Sequence, residues 1–247
     1  MSGDTGELIR RYRAARRDQS LAVIEGFHAL KHALRFGAEL LEAAVAEPRE
    51  LERLAAELAP DLTGAIGSQA VPVGREVLAE LVPQAPRTGV VAIARRPEVD
   101  VARALAAPRP APIVLLEEPR ALGNMGACVR VAAAADAAGV LTTGSNDPWH
   151  PEALRGAAGL HFALPVAAVR ELPEGDRPLI AVDPGGEELR PRQLPPRAIL
   201  AFGSERHGLS ERLLARADAR LGIPMRAGVS SLNLATAVAA VLFSQRL

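Results

Sequence analysis

Apolar residues fall into short runs separated by amphipathic stretches, and this alternation predicts strands exchanging with helices along the whole chain. A basic helix is expected over 7–17. Leu21 to Ile24 reads as a strand, and Glu25-Gly26 turns it into a helix from about Phe27 to Phe36, ended by Gly37. Leu40 to Ala46, Ala70 to Val73 and Gly89 to Ala94 are further strands, with helices over 48–58 and 75–82 between them. These elements make a small α/β sandwich with a parallel or mixed sheet, placed at 1–105. The proline-rich stretch 106–112 cannot continue a helix and is expected to act as a semi-rigid spacer.

From 113 to 247 the same alternation gives strands at Ile113 to Glu117, Val140 to Thr143, Leu179 to Val182, Ala198 to Phe202 and Leu221 to Pro224. Helices are expected at about 126–138, stopped by Gly139, and at 152–160. A further helix is capped by Ser210, and an apolar one follows SSLN. Five strands alternating with helices predict a doubly wound sheet, in which loops after the strands hold ligands. Three such loops lie close together here, after Phe202, after Ile223 and before Leu234.

Composition changes this picture little. In 247 residues, 49% hydrophobic content is enough for two cores, and 29 basic residues balance 29 acidic ones. Arg10, Arg11, Arg13, Arg16 and Arg17 form a local basic cluster that either tracks phosphates or is a solvated helix face. The one cysteine, Cys128, excludes an intramolecular disulfide and agrees with a reducing compartment. MSGDTGELIRRYR lacks the apolar core of a signal peptide, and no apolar run is long enough to span a bilayer. A cytoplasmic protein with no membrane partner is expected.

Several polar residues invite chemistry. Arg130, expected to be buried in an apolar helix, requires an anionic partner there: a salt bridge to Glu117 or Glu118, or a ligand phosphate. Glu205 lies in the tight FGSERHG loop and either organises a site or faces solvent. Gly203 and Gly208 would admit a ligand close to the backbone. Ser231 and Asn233 sit where a helix begins, as caps or as ligand contacts. His28 and His32 are spaced i, i+4, but no third ligand accompanies them and no metal is expected. His207 could titrate near neutral pH or be solvated, and Trp149 could stack a base or plug a core.

GNMGACVR (123–130), FGSERHGLS, IPM and SSLNLATA stand in the order of the three motifs of the SpoU/TrmH family of RNA ribose 2′-O-methyltransferases, and the chain from Ile113 onward resembles that family. VIEGFHALKHAL and TGVVAIARR are similar to its amino-terminal substrate-binding domain. The resemblance implies an α/β architecture: a small substrate-binding domain followed by a SPOUT domain whose carboxy-terminal segment is threaded as a trefoil knot. It implies S-adenosyl-L-methionine as cofactor, held by Phe202, Gly203, Ile223, Met225, Ser231, Leu232 and Asn233. It implies Arg130, Asn124 and Glu205 as catalytic residues, Arg155 facing RNA, and a homodimer. Ala121, Leu122 and Ala158 depart from the pattern and bear on specificity. The implied reaction is methylation of a ribose 2′-hydroxyl in structured RNA, ribosomal ahead of transfer RNA. A non-catalytic RNA-binding protein is the alternative. A dinucleotide oxidoreductase is excluded, because GNMGACVR lacks the G-x-G-x-x-G spacing and no acid closes the following strand.

Overall fold

A computed structural model describes residues 2–68 and 70–245. The chain forms two compact units, 1–98 with 149–163, and 99–148 with 164–247. The stretch 149–163 thus folds with the first unit although the sequence places it in the second domain, and 99–112, expected as domain end and spacer, folds with the second unit.

In the first unit, α1 (Ser2–Ala15), β1 (Leu21–Glu25), α2 (Phe27–Arg35), β2 (Leu40–Val45), α3 (Pro48–Leu58), α4 (Thr63–Ser68), β3 (Ala70–Pro72), α5 (Arg75–Leu81) and β4 (Val90–Arg95) follow in order. The sheet order is β1-β4-β2-β3, antiparallel except for the β2–β3 pair, so the expected mixed sheet is present. One face packs Ile24, Val45, Val90 and Ala92 against Phe27, Leu30 and Leu51. The other packs Val23, Val91 and Ile93 against Leu8, Tyr12, Leu78 and Leu81. Alternation of side chains along each strand accounts for the division.

In the second unit, α6 (Val101–Ala106) precedes β5 (Ile113–Leu116), α7 (Leu122–Ala134) and β6 (Gly139–Thr142). α8 (Pro151–Gly156) then folds with the first unit. β7 (Val166–Ala168), β8 (Leu179–Glu188), β9 (Ile199–Phe202), α9 (Glu211–Arg216), β10 (Ala219–Gly222) and α10 (Leu234–Ser244) complete the second unit. The sheet order is β10-β8-β9-β5-β6-β7, parallel throughout, with β7 added to the five expected strands. Its central strands, IVLL and ILAF, are buried at every position, as a parallel sheet covered on both faces demands.

Two local differences from the sequence expectation have physical causes. α7 starts at Leu122 and ends at Ala134, and the turn after it is made by Asp136 in the left-handed region (φ 54) rather than by Gly139. Gly139 instead begins β6, where a Cβ would lie 3.0 Å from the Pro165 carbonyl oxygen. The proline-rich stretch is no free spacer. Buried Arg177 donates to the carbonyls of Leu105 (2.7 Å), Ala107 (3.1 Å) and Ala111 (2.9 Å), fastening the end of α6 and the residues after it.

Candidate active site

The site is built where β9 gives way to its loop. Phe202 ends the strand, and a Cβ on Gly203 would lie 1.9 Å from the carbonyl carbon of Gly208, so only glycine fits. The backbones of Ser204 and Gly208 exchange hydrogen bonds of 3.1 and 3.0 Å, with Gly208 at φ 67 closing the turn. This tight loop holds Glu205 at its tip, exposed.

Glu205 starts a chain of polar contacts. Its Oε1 accepts from Asn124 Nδ2 at 3.0 Å and its Oε2 from the Arg120 backbone N–H at 3.3 Å. Asn124 Oδ1 in turn accepts from Asn233 Nδ2 at 3.1 Å. Asn233 Oδ1 then caps α10, accepting from the Ala235 and Thr236 N–H groups at 3.0 and 3.3 Å. Each amide places its nitrogen on an acceptor and its oxygen on a donor, so the network fixes both amide orientations. Burial raises the Glu205 carboxyl, but the hydrogen bond from Asn124 and those from backbone N–H groups outweigh it. The carboxyl is held below the usual carboxylate range. Three distant segments, at the start of α7, after β9 and before α10, are thereby tied together.

Beside this network opens a cavity of about 620 Å³, the size of a small-molecule site. All seven residues expected around the cofactor line it: Phe202, Gly203, Ile223, Met225, Ser231, Leu232 and Asn233. Glu205 lines it as well. Sequence reasoning missed Asp183, Ser204 and Arg206, which also border the cavity. Asp183 Oδ1 accepts from Arg220 at 2.6 Å and from the Gly185 N–H at 2.9 Å. The acid in AVDPGG, at the end of an apolar run, was the available signal.

Arg130 is placed differently from expectation. It is exposed and its side chain makes no hydrogen bond or ion pair to another described residue, because α7 buries Met125, Cys128, Val129 and Ala132 on the opposite face. Glu117, one of its expected partners, accepts instead from the Ser210 N–H and hydroxyl, both at 2.7 Å. Arg130 does not line the cavity, and Glu205 bonds Asn124 and Arg120 rather than Arg130. Cys128 is fully buried, and burial pushes its thiol up to about 12.

The expected RNA-facing residues divide into two sets. Arg11 pairs with Glu42 at 2.6 Å and with Glu7 at 3.4 Å. Arg16 and Arg155 both pair at 2.7 Å with Glu25, whose side chain is 2% exposed. Arg10, Arg13 and Arg17 are exposed and have no such partner among the described residues. Trp149 is buried against His161 and Phe162, ring centroids 5.1 and 5.2 Å away, so it is a packing plug rather than a base-stacking platform. His32 contacts the Ala158 carbonyl at 2.8 Å, and among the described residues no group of three or more His, Cys, Asp or Glu is placed to hold a metal.

Comparison with known proteins decides what this arrangement belongs to. Residues 111–243 match the model of the SpoU rRNA Methylase family. The chain belongs to the SpoU rRNA methylase family. An uncharacterized tRNA/rRNA methyltransferase of Mycobacterium bovis is 34% identical over 209 residues, covering 79% of this chain and 71% of that protein. The crystal structure of an RNA 2′-O ribose methyltransferase aligns over 98% of this chain and 96% of its own, with TM-score 0.75 and 30% identity. An rRNA methyltransferase from Sinorhizobium meliloti, crystallised with AdoMet, aligns over 97% and 93%, with TM-score 0.74 and 25% identity. The family and the α/β fold inferred from the sequence motifs therefore hold.

Proposed function

We propose that this SpoU-family protein is an S-adenosyl-L-methionine-dependent methyltransferase acting on a ribose 2′-hydroxyl of structured RNA, ribosomal ahead of transfer RNA. The observation that carries the proposal is the Glu205–Asn124–Asn233 chain of hydrogen bonds at the wall of the cavity. The cavity fits the cofactor: it has the volume, an apolar lining from Phe202, Ile223, Met225 and Leu232 for an adenine, and a backbone left open at Gly203. When bound, the cofactor supplies an activated methyl group on a sulfonium.

The chain supplies alignment and charge. Asn124 has both ends of its amide occupied, so it acts as a positioning residue that fixes Glu205 and the start of α10. The Arg130 guanidinium, unpaired and outward, is free to take a substrate phosphate in a bidentate pair and to stabilise oxyanion character at the ribose. A guanidinium stays protonated at neutral pH, so the hydroxyl proton leaves to phosphate or water. The threaded carboxy-terminal segment, a cytoplasmic location and a homodimer complete the proposal. The homodimer is supported by α10, which buries Leu234, Val238, Val241 and Leu242 yet leaves Ala240 and Phe243 exposed. No helix among the described residues is long and apolar enough to cross a membrane.

Isothermal titration with S-adenosyl-L-methionine and with NAD tests the cofactor: heat with the first alone is expected, and heat with NAD alone overturns the proposal. Mapping ribose methylation in total RNA from a strain lacking the gene tests the reaction. Loss of one ribose methyl, restored by complementation, is expected. An unchanged map overturns it in favour of a non-catalytic RNA-binding protein. Light scattering that gives the mass of one 26.0 kDa chain at micromolar concentration contradicts the homodimer.

A further inference from the structure

We propose that Arg10 and Arg13 on the outward face of α1, with Arg17 in the turn that follows it, form a phosphate-binding stripe that holds the backbone of the RNA substrate. The proposal rests on RNA being the substrate and separates two populations within the basic cluster.

The rotation of α1 about its axis is fixed from inside. Leu8, Tyr12 and Ala15 are buried against the sheet, and Tyr12 is locked at its tip: its hydroxyl donates to the Val91 carbonyl at 3.0 Å and accepts from the Ala44 N–H at 3.1 Å. Arg10 and Arg13, three positions apart, lie on the opposite face of α1, and Arg17 stands in the turn just beyond its end. All three are exposed, and none of their side chains has a hydrogen bond or ion pair to another described residue.

Arg49 and Arg87 of the same unit are also exposed without an ion pair among the described residues, but they stand singly, whereas the stripe groups three such cations within eight residues. On the same unit Arg35 holds Asp61, Arg53 holds Glu50 and Glu57, and Arg75 holds Glu47. Arg11 and Arg16, interleaved with the stripe in sequence, turn aside to Glu42 and Glu25. The chain has as many acids as bases, yet these three cations are left without one. Arg13 and Arg17 also border a groove of about 520 Å³ shared with Arg16 and Glu80 and backed by Leu81 and Val82. Guanidiniums clustered at the end of a helix fixed in rotation suit neighbouring phosphates of one strand, each taken by a planar fork. Neutralising phosphates releases counterions, so such a contact shows itself in the salt dependence of binding.

The test uses the full-length protein and a fluorescein-labelled RNA hairpin of about 30 nucleotides, with anisotropy titrations from about 50 to 200 mM KCl. Two triple variants remove the same charge: R10Q/R13Q/R17Q from the stripe and R35Q/R53Q/R75Q from the paired arginines. The stripe variant should flatten the slope of log Kobs against log[KCl] by about 2 to 3, and weaken binding roughly 10- to 100-fold at about 100 mM. The paired variant should change the slope by less than about 1. Equal changes in the two variants, or none in either, overturn the stripe; an acidic protein docking there would give that second result. S-adenosyl-L-methionine titrated into each variant reports whether the cavity is intact. Absence of cofactor heat from the unmodified protein would sink the proposed function while leaving the slope comparison readable.

Discussion

Glu25 and Glu205 are the same side chain in two opposite settings. Glu25 ends β1 in the first unit, is buried, and is gripped by two guanidiniums, Arg16 and Arg155. Glu205 stands at an exposed loop tip in the second unit and is held by an amide and a backbone N–H, with no cation on it. The charge of the first is consumed in joining α8 to the end of α1. That of the second is kept, because neutral donors stabilise a carboxylate without cancelling it. A charge preserved at some cost beside a cavity marks a site; one that is fully spent marks a joint.

The most damaging change should be Glu25→Gln. It leaves two guanidiniums converging on a neutral amide, and should destabilise the fold by about 3 kcal/mol, the lower end for a broken buried pair because both arginines reach solvent. A fall in the urea midpoint with unchanged cofactor affinity is the expected pattern; an unmoved midpoint would mean the joint contributes nothing. Arg130→Ala should come next, lowering turnover about 100-fold or more, roughly 2.7 kcal/mol, while cofactor affinity stays within about twofold. Arg130→Lys should rescue little, since an ammonium lacks the planar fork. Asn233→Ala should lose about 1 kcal/mol through the cap and weaken cofactor binding as well. Equal loss of cofactor affinity in the Arg130 and Asn233 variants would make Arg130 structural.

Glu205→Gln separates the two glutamates directly. One of the carboxylate's two accepting oxygens becomes a donor facing another donor, and cofactor affinity should fall about tenfold, roughly 1.4 kcal/mol, with little change in the urea midpoint. A midpoint shift as large as that of Glu25→Gln would erase the contrast. The smallest effect concerns pH. The folded-state pKa of Glu205 is depressed, so its contribution is complete above the ordinary carboxylate range and is lost only as pH falls through the lower folded value. Cofactor affinity should stay flat from about pH 8 to 5 and decline below the range in which a free glutamate titrates. A decline centred at an ordinary glutamate value would show that the hydrogen bonds to Asn124 and Arg120 do not persist in solution.

Much of this architecture was legible because it is local. Gly37 (φ 79) ends α2 where expected, and Ser210 caps α9 through the Leu213 N–H at 3.2 Å. The apolar runs at 113–116 and 199–202 are the central strands. The lining of the cavity was visible through motif resemblance, since the residues follow one another in a few short stretches. What failed was set by distant partners. The start of α7 was placed too late because Ala121 offers no side-chain cap; Glu205, 85 residues from Arg120 in sequence, takes the backbone N–H instead. The burial expected for Arg130 was inferred from an apolar helix without knowing which face its neighbours would cover. β7 is three residues long behind Pro165, too short for any periodicity. Nothing around Glu25 in sequence announces that it will hold Arg155, 130 residues away.

The spacing of the polar chain has a consequence for how the protein is made. Asn124 and Asn233 lie 109 positions apart, and at roughly 5–20 residues per second the ribosome finishes the second about 5 to 20 s after the first. Glu205 is added 81 positions after Asn124, so for most of that interval the Asn124 amide has neither partner, and for the rest it has only one. The central strand β5 and helix α7 are already synthesised, but the wall supplied by 231–233 does not exist. The nascent chain therefore acquires its ligand cavity in one late event, and a growing polypeptide stalled before that point would carry most of the fold with no capacity to sequester a small molecule.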